Sequence, residues 1–173
     1  MSSGSLGELK GDFQRSFIDP IACDNGDKRE FLIIGVGGRI HALPLSSVSG
    51  LYKDRLSAPA PSRIASFLGM LGIGGGIVPV YDLRTLIGIR DGGEPRWLFT
   101  VRGPDALGLA FDRFIGCVSV SRRMVIPDAV DATPGVSSDH FEMVTLDGVA
   151  YQILDLAPVL AAINTQIASH AGP

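Results

Sequence analysis

The sequence predicts an all-β protein with minor helix, assembled from small β-barrels. Short apolar runs recur at regular spacing, most of them separated by glycine-rich turns. Glycine supplies 22 of 173 residues, nearly double the usual share of roughly 7%. The amphipathic crossover helices that a parallel α/β sheet requires are missing.

Composition narrows the function. A hydrophobic fraction of 46% against 19% charged residues gives ample core material and excludes disorder for most of the chain. Lys and Arg number 15 and Asp and Glu 18, a net charge of −3, so no strong field draws the protein to nucleic acid or to an anionic membrane. The start, Met1 to Ser5, has no basic region leading into an apolar stretch, and no signal peptide is expected. The longest uncharged run, 64–81, holds Gly69, Gly72, Gly74, Gly75, Gly76 and Pro79, which suits a strand–turn–strand rather than a membrane helix. Cys23 and Cys117 have no metal-binding or redox spacing. The expectation is a soluble cytoplasmic protein.

Residues 1–28 read as a tail, with Leu6, Leu9, Phe13 and Phe17 in a weak helical stripe that Gly7 and Gly11 interrupt. Phe31 to Val36 and Arg39 to Leu43 flank Gly37-Gly38, a hairpin signal. Alternation in the return strand predicts Ile40, Ala42 and Pro44 on the buried face, with Arg39, His41 and Leu43 on the other. Val48 and Leu51 resume the apolar face. Ala58-Pro59-Ala60-Pro61 is an extended connector. Ile64, Phe67 and Leu68 read as a helical turn ending at Gly69, and Met70 to Tyr81 as a second hairpin turning among its glycines. Asp82 is an N-cap for Leu83, Leu86 and Ile87, and Gly88 the stop.

The polar break from Arg90 to Pro95 marks a subdomain boundary. Beyond it lie strands at Trp97 to Val101, Leu107 to Phe111 and Phe114 to Val120, then a loose loop from Pro127 to His140. A hairpin follows around Asp147-Gly148, and Asp155 caps a closing helix with Leu156, Val159, Leu160, Ile163 and Ile167 on one stripe. The segment Val78 to Leu86 echoes Tyr151 to Leu160: a buried strand ending in Asp-Leu, then a helix. Two similar β modules packed together are expected.

No enzyme signature emerges. The run Gly72-Ile73-Gly74-Gly75-Gly76 lacks the Lys-Ser/Thr of a phosphate loop and leads into a strand. His41, His140 and His170 have no metal-ligand spacing, and Asp82 and Asp155 are caps. No catalytic residue, cofactor or metal is expected; a small-molecule enzyme using the glycine turn is the remaining rival from another class.

The order of elements resembles the CheW-like family of chemotaxis coupling proteins over about residues 30–163. Gly69 to Arg84 is similar to the family's G-x-x-N-L-R-G-x-I-x-P-V-x-D-L-R, with Glu30-Phe31-Leu32, Ala42-Leu43-Pro44-Leu45, Leu107 to Asp112 and Ile153-Leu154-Asp155-Leu156 in support. The resemblance implies two packed five-stranded Src-homology-3-like β-barrels, about 29–93 and 94–163, with 164–173 a C-terminal tail. It also implies a non-catalytic adaptor that joins the cytoplasmic tips of chemoreceptors to the regulatory domain of a histidine kinase. The alternative is a diverged spacer or scaffold in another two-component system. Neither nucleic acid nor membrane insertion is expected. Val48, Leu51, Gly72, Gly74, Leu109 and Phe114 are expected to border a receptor groove, and Ile77, Val78 and Tyr81 a kinase-facing edge. Gly72 and Gly74 replace the family's Asn and Arg, and Gly50 its Glu. Joint loss of Arg and Glu fits a deleted polar pair that leaves bare backbone and weaker or altered receptor binding.

Overall fold

A computed structural model describes residues 28–170, apart from 56, 105 and 130–140. Eleven strands and two helices follow in order. They are β1 (Lys28–Val36), β2 (Arg39–Pro44), β3 (Val48–Lys53), β4 (Phe67–Ile73), β5 (Gly76–Asp82), α1 (Leu83–Leu86), β6 (Trp97–Val101), β7 (Gly108–Phe111), β8 (Arg113–Ser121), β9 (Val125–Ala129), β10 (Phe141–Leu146), β11 (Val149–Ile153) and α2 (Leu156–His170). They form a six-stranded sheet ordered β8-β1-β2-β11-β10-β9 and a five-stranded sheet ordered β3-β6-β7-β5-β4.

Each sheet curls over a core of its own. Val120 of β8 and Val125 of β9, from the two edges of the larger sheet, join one cluster with Phe31, Ile33, Ala42, Val144 and Ile153. Tyr52 of β3 and Leu71 of β4 do the same in the smaller sheet with Val80, Leu98 and Ala110. A third and larger cluster lies between the sheets. It takes Leu32, Ile34 and Leu43 from one sheet, Phe99, Leu109 and Phe111 from the other, and Leu83, Val159 and Ile163 from the helices. Central strands therefore bury both faces, which gives the unbroken buried runs from Phe31 to Val36 and from Gly108 to Phe111.

The boundary expected near 93/94 separates two sequence halves, not two barrels. The smaller barrel takes β3, β4 and β5 from the first half and the β6–β7 hairpin from the second; the larger takes β8 to β11 from the second and the β1–β2 hairpin from the first. The Asp-Leu echo is structural. β5 pairs in parallel with β7, and β11 pairs in parallel with β2, each where a borrowed hairpin meets its host barrel.

Several local expectations change. Phe67 and Leu68 begin β4 instead of a helical turn, because Phe67 pairs with Tyr81 and Gly69 adopts φ 138°, outside any helix. Pro127 to Ala129, the start of the expected loop, belong to strand β9, which pairs with β10. His41 and Leu43 are buried rather than solvent-facing, because the strand is covered on both faces, while Ile40 is the exposed neighbour. Helix α2 runs through the expected tail to His170. The N-terminal stripe at Leu6 to Phe17 lies outside the described residues. No helix among the described residues is long and apolar enough to cross a membrane.

Candidate interaction surfaces

The P-V-x-D-L-R segment builds a junction. The Asp82 carboxylate accepts from the Arg84 backbone N–H at 3.0 Å, from the Thr85 hydroxyl at 3.0 Å and from the Arg84 guanidinium at 3.2 Å. The same guanidinium donates to the Gly93 carbonyl at 2.9 Å, pinning the connection between the halves. Asp82 N–H donates to the Ser66 carbonyl at 2.7 Å, and the fully buried Ser66 hydroxyl meets Gln166 of α2 at 2.8 Å. Asp82 therefore acts as a cap and a clamp, as its spacing implies.

Strands β4 and β5 project from this junction as a hairpin. Its turn is Gly74-Gly75, both at positive φ, 57° and 82°, which suits the two-residue turn that follows strand twist. A turn between antiparallel strands has no helix N-terminus for an anion, so the glycine run is not a phosphate loop. Met70 lies opposite Pro79 and Gly72 opposite Ile77, so all four share the outward face. Ile77 is 74% exposed and Met70 38%. Further along β5 that face turns inward at Tyr81, whose ring meets Phe67 edge-on at 5.5 Å. Burial raises the Tyr81 phenol above its ordinary range.

The residues expected at the receptor groove divide. Val48 and Leu109 are buried in the layer between the sheets, and Leu51 and Phe114 pack against it while partly exposed. Phe114 contacts Trp97 at 5.2 Å between ring centroids, and the Lys53 ammonium sits over the same indole at 5.6 Å. These four residues converge on one seam. Gly72 and Gly74 stand apart from it, on the exposed hairpin with Ile77. Of the expected kinase edge only Ile77 is open; Val78 and Tyr81 are buried behind it.

The three glycine departures are not alike. A Cβ at Gly72 or Gly74 meets nothing within 4 Å, so these positions are bare backbone facing solvent. A Cβ at Gly50 comes within 2.6 Å of the Tyr52 hydroxyl and 3.0 Å of the Thr100 hydroxyl oxygen. Gly50 is thus filled by its neighbours, and packing inside the smaller barrel explains it better than a missing charge partner does.

Sequence reasoning missed two features. The smaller barrel opens at one end into a cleft of about 950 Å³, floored by Leu68, Val80, Leu98 and Ala110. Two charge pairs flank it, Arg96 with Asp54 at 3.0 Å and Arg84 with Asp82 at 3.2 Å. The other is His41, whose two ring nitrogens are buried without a partner. Burial, then the charge of Arg39, lowers its pKa below 6.5. Burial, then Glu30, raises the Cys117 thiol, which argues against a reactive thiolate.

Comparison with known proteins supplies the family. No curated protein matches the chain. A crystal structure of the scaffolding protein TtCheW from Thermoanaerobacter tengcongensis superimposes with a TM-score of 0.63 at 19% identity, covering 76% of this chain and 91% of that one. At that identity the likeness establishes the fold of two β subdomains. The CheW-like domain family matches residues 30–164, and the chain belongs to that family.

Proposed function

We propose that the protein is a non-catalytic chemotaxis adaptor linking chemoreceptor cytoplasmic tips to the regulatory domain of a histidine kinase. The observation that carries this reading is the β4–β5 hairpin. A fold that buries most of its large apolar side chains in three layers leaves Ile77 and Met70 exposed on one projecting face, a pattern that suits protein docking. In this reading Ile77 contacts the kinase, with Val78 and Tyr81 holding it from behind. The receptor meets the seam at Leu51 and Phe114, which Val48 and Leu109 support from below, while Gly72 and Gly74 lie on the hairpin side with Ile77.

Bare backbone at Gly72 and Gly74 favours a second reading, a spacer that occupies a place in the array without coupling. Kinase activity in reconstituted receptor arrays separates the two: a coupler raises activity in the presence of receptor, and a spacer competes without raising it. Ile77→Asp is expected to weaken kinase binding at least about tenfold, roughly 1.4 kcal/mol, with the melting temperature unchanged. Unaltered binding by the variant removes the hairpin from the interface.

A further inference from the structure

We propose that the larger barrel carries an acid-operated junction: protonation of His41 parts β2 from β11 while the smaller barrel stays closed. This junction is the thinnest in its sheet. β2 meets β1 over six residue pairs and β11 meets β10 over four, but β2 and β11 share two, His41 with Gln152 and Ala42 with Ile153. One further bond, from the Leu154 N–H to the Ala42 carbonyl at 2.8 Å, extends the pairing. Strands β9, β10 and β11 join the rest of the sheet through it, so its strength sets the closure of the barrel.

His41 is 6% exposed, and both its ring nitrogens are buried without a partner among the described residues. Protonation makes both nitrogens donors and adds a charge, with no acceptor in place for either. Its register partner Gln152 is exposed, so parting the two strands brings the ring to water. The surroundings offer no other relief. On β2 the neighbour on the same face is Arg39, whose charge opposes a second one. Opposite His41 on β1 is Ile34, flanked by Leu32 and Val36. That face looks onto the layer between the sheets, where the smaller sheet brings Phe99, Leu109 and Phe111 and the helices Leu83, Val159 and Ile163. Tyr81 is the titratable member of that layer, and burial keeps its phenol neutral. Asp112 accepts from the Gly37 N–H at the β1–β2 turn, and it is Arg39, not Asp112, that acts on the ring.

The sign follows from this geometry. Burial and Arg39 hold the ring neutral while the junction is closed, and opening returns it to an ordinary value of about 6.5. The open form therefore takes up the proton first. Closure is complete above about pH 6.5 and is lost below it, by up to about tenfold per pH unit. Such local opening is distinct from global unfolding, and the inference is independent of the adaptor reading.

Amide hydrogen exchange in the full-length chain, corrected for the intrinsic effect of pH, tests it. Protection of the Leu154 N–H is expected to fall about tenfold from pH 7.5 to 5.5. Protection of the Val101 N–H, which donates to the Leu107 carbonyl at 3.0 Å in the smaller barrel, is expected to stay level. His41→Leu and His41→Gln are each expected to flatten the Leu154 profile, two variants so that one failing to fold leaves the other. His140→Gln with His170→Gln is expected to preserve it. A Leu154 profile that does not change with pH in the natural chain overturns the proposal. So does parallel loss at Leu154 and Val101, since the whole molecule then opens, and so does a profile that persists without His41 or disappears without His140 and His170.

Discussion

The two barrels are built on one plan but are completed differently. The smaller uses a continuous stretch of chain, β3 to β7, whereas the larger is assembled from the two ends of the domain. Their private cores differ from the shared one in scale: among the described residues, six and four buried apolar side chains lie within the barrels, against 15 between them. Since the hydrophobic contribution scales with the area removed from water, the middle layer dominates cohesion. Neither barrel is therefore expected to stand alone. Each sequence half, cut at 93/94, supplies a hairpin to the barrel that the other half mostly builds.

Cutting the chain at 93/94 breaks this arrangement most severely, because each half then holds a hairpin of one barrel and the remaining strands of the other. Each half alone is expected to show no cooperative unfolding by circular dichroism, and mixing the two is expected to restore it. Independent folding of either half contradicts the exchange. Side-chain truncation sharpens the same contrast. Phe99→Ala, in the shared layer beside Phe111 at 5.8 Å between centroids, is expected to cost about 3–5 kcal/mol in urea unfolding. Leu98→Ala, on the adjacent position but facing the open cleft, is expected near the lower bound for such a change, about 2 kcal/mol. Equal losses show that the layers are not distinct in energy.

His41 gives a pH test of the larger barrel. Its folded pKa lies below the unfolded value of 6.5, so the unfolded chain binds the proton first. Stability present above about pH 6.5 is lost as pH falls toward the folded pKa, by up to about 1.4 kcal/mol per pH unit. His41→Leu is expected to remove that slope; an unchanged pH profile assigns it to other groups. The smallest effect belongs to Gln166→Ala in the last turns of α2, which leaves the buried Ser66 hydroxyl without its partner. About 1 kcal/mol in thermal unfolding is expected, and no change shows that the helix end adds nothing.

Much of the fold was legible because turns and caps are local chemistry. Gly37-Gly38, Gly74-Gly75 and Asp147-Gly148 announce hairpins by the positive φ their turns need, and Asp82 and Asp155 announce helices by their capping carboxylates. Phe67 was misplaced because Ile64, Phe67 and Leu68 share helical spacing, and only the distant partner Tyr81 decides the strand. Pro127 made an edge strand look like a loop. Partition between barrels was illegible for a related reason: β2 meets β11 across most of the chain, and no local pattern encodes that pairing. In the candidate surfaces, the apolar run from Ile77 to Tyr81 does not by itself separate exposed Ile77 from buried Val78 and Tyr81. That distinction depends on where the hairpin leaves the shared layer.

Sedimentation velocity on a mixture of this protein, a chemoreceptor tip and a kinase regulatory domain puts the adaptor reading to its most direct trial. The account predicts a single faster species containing all three, formed at micromolar concentrations and lost when this protein is omitted. Two binary complexes that exclude one another, or no complex at all, contradict it.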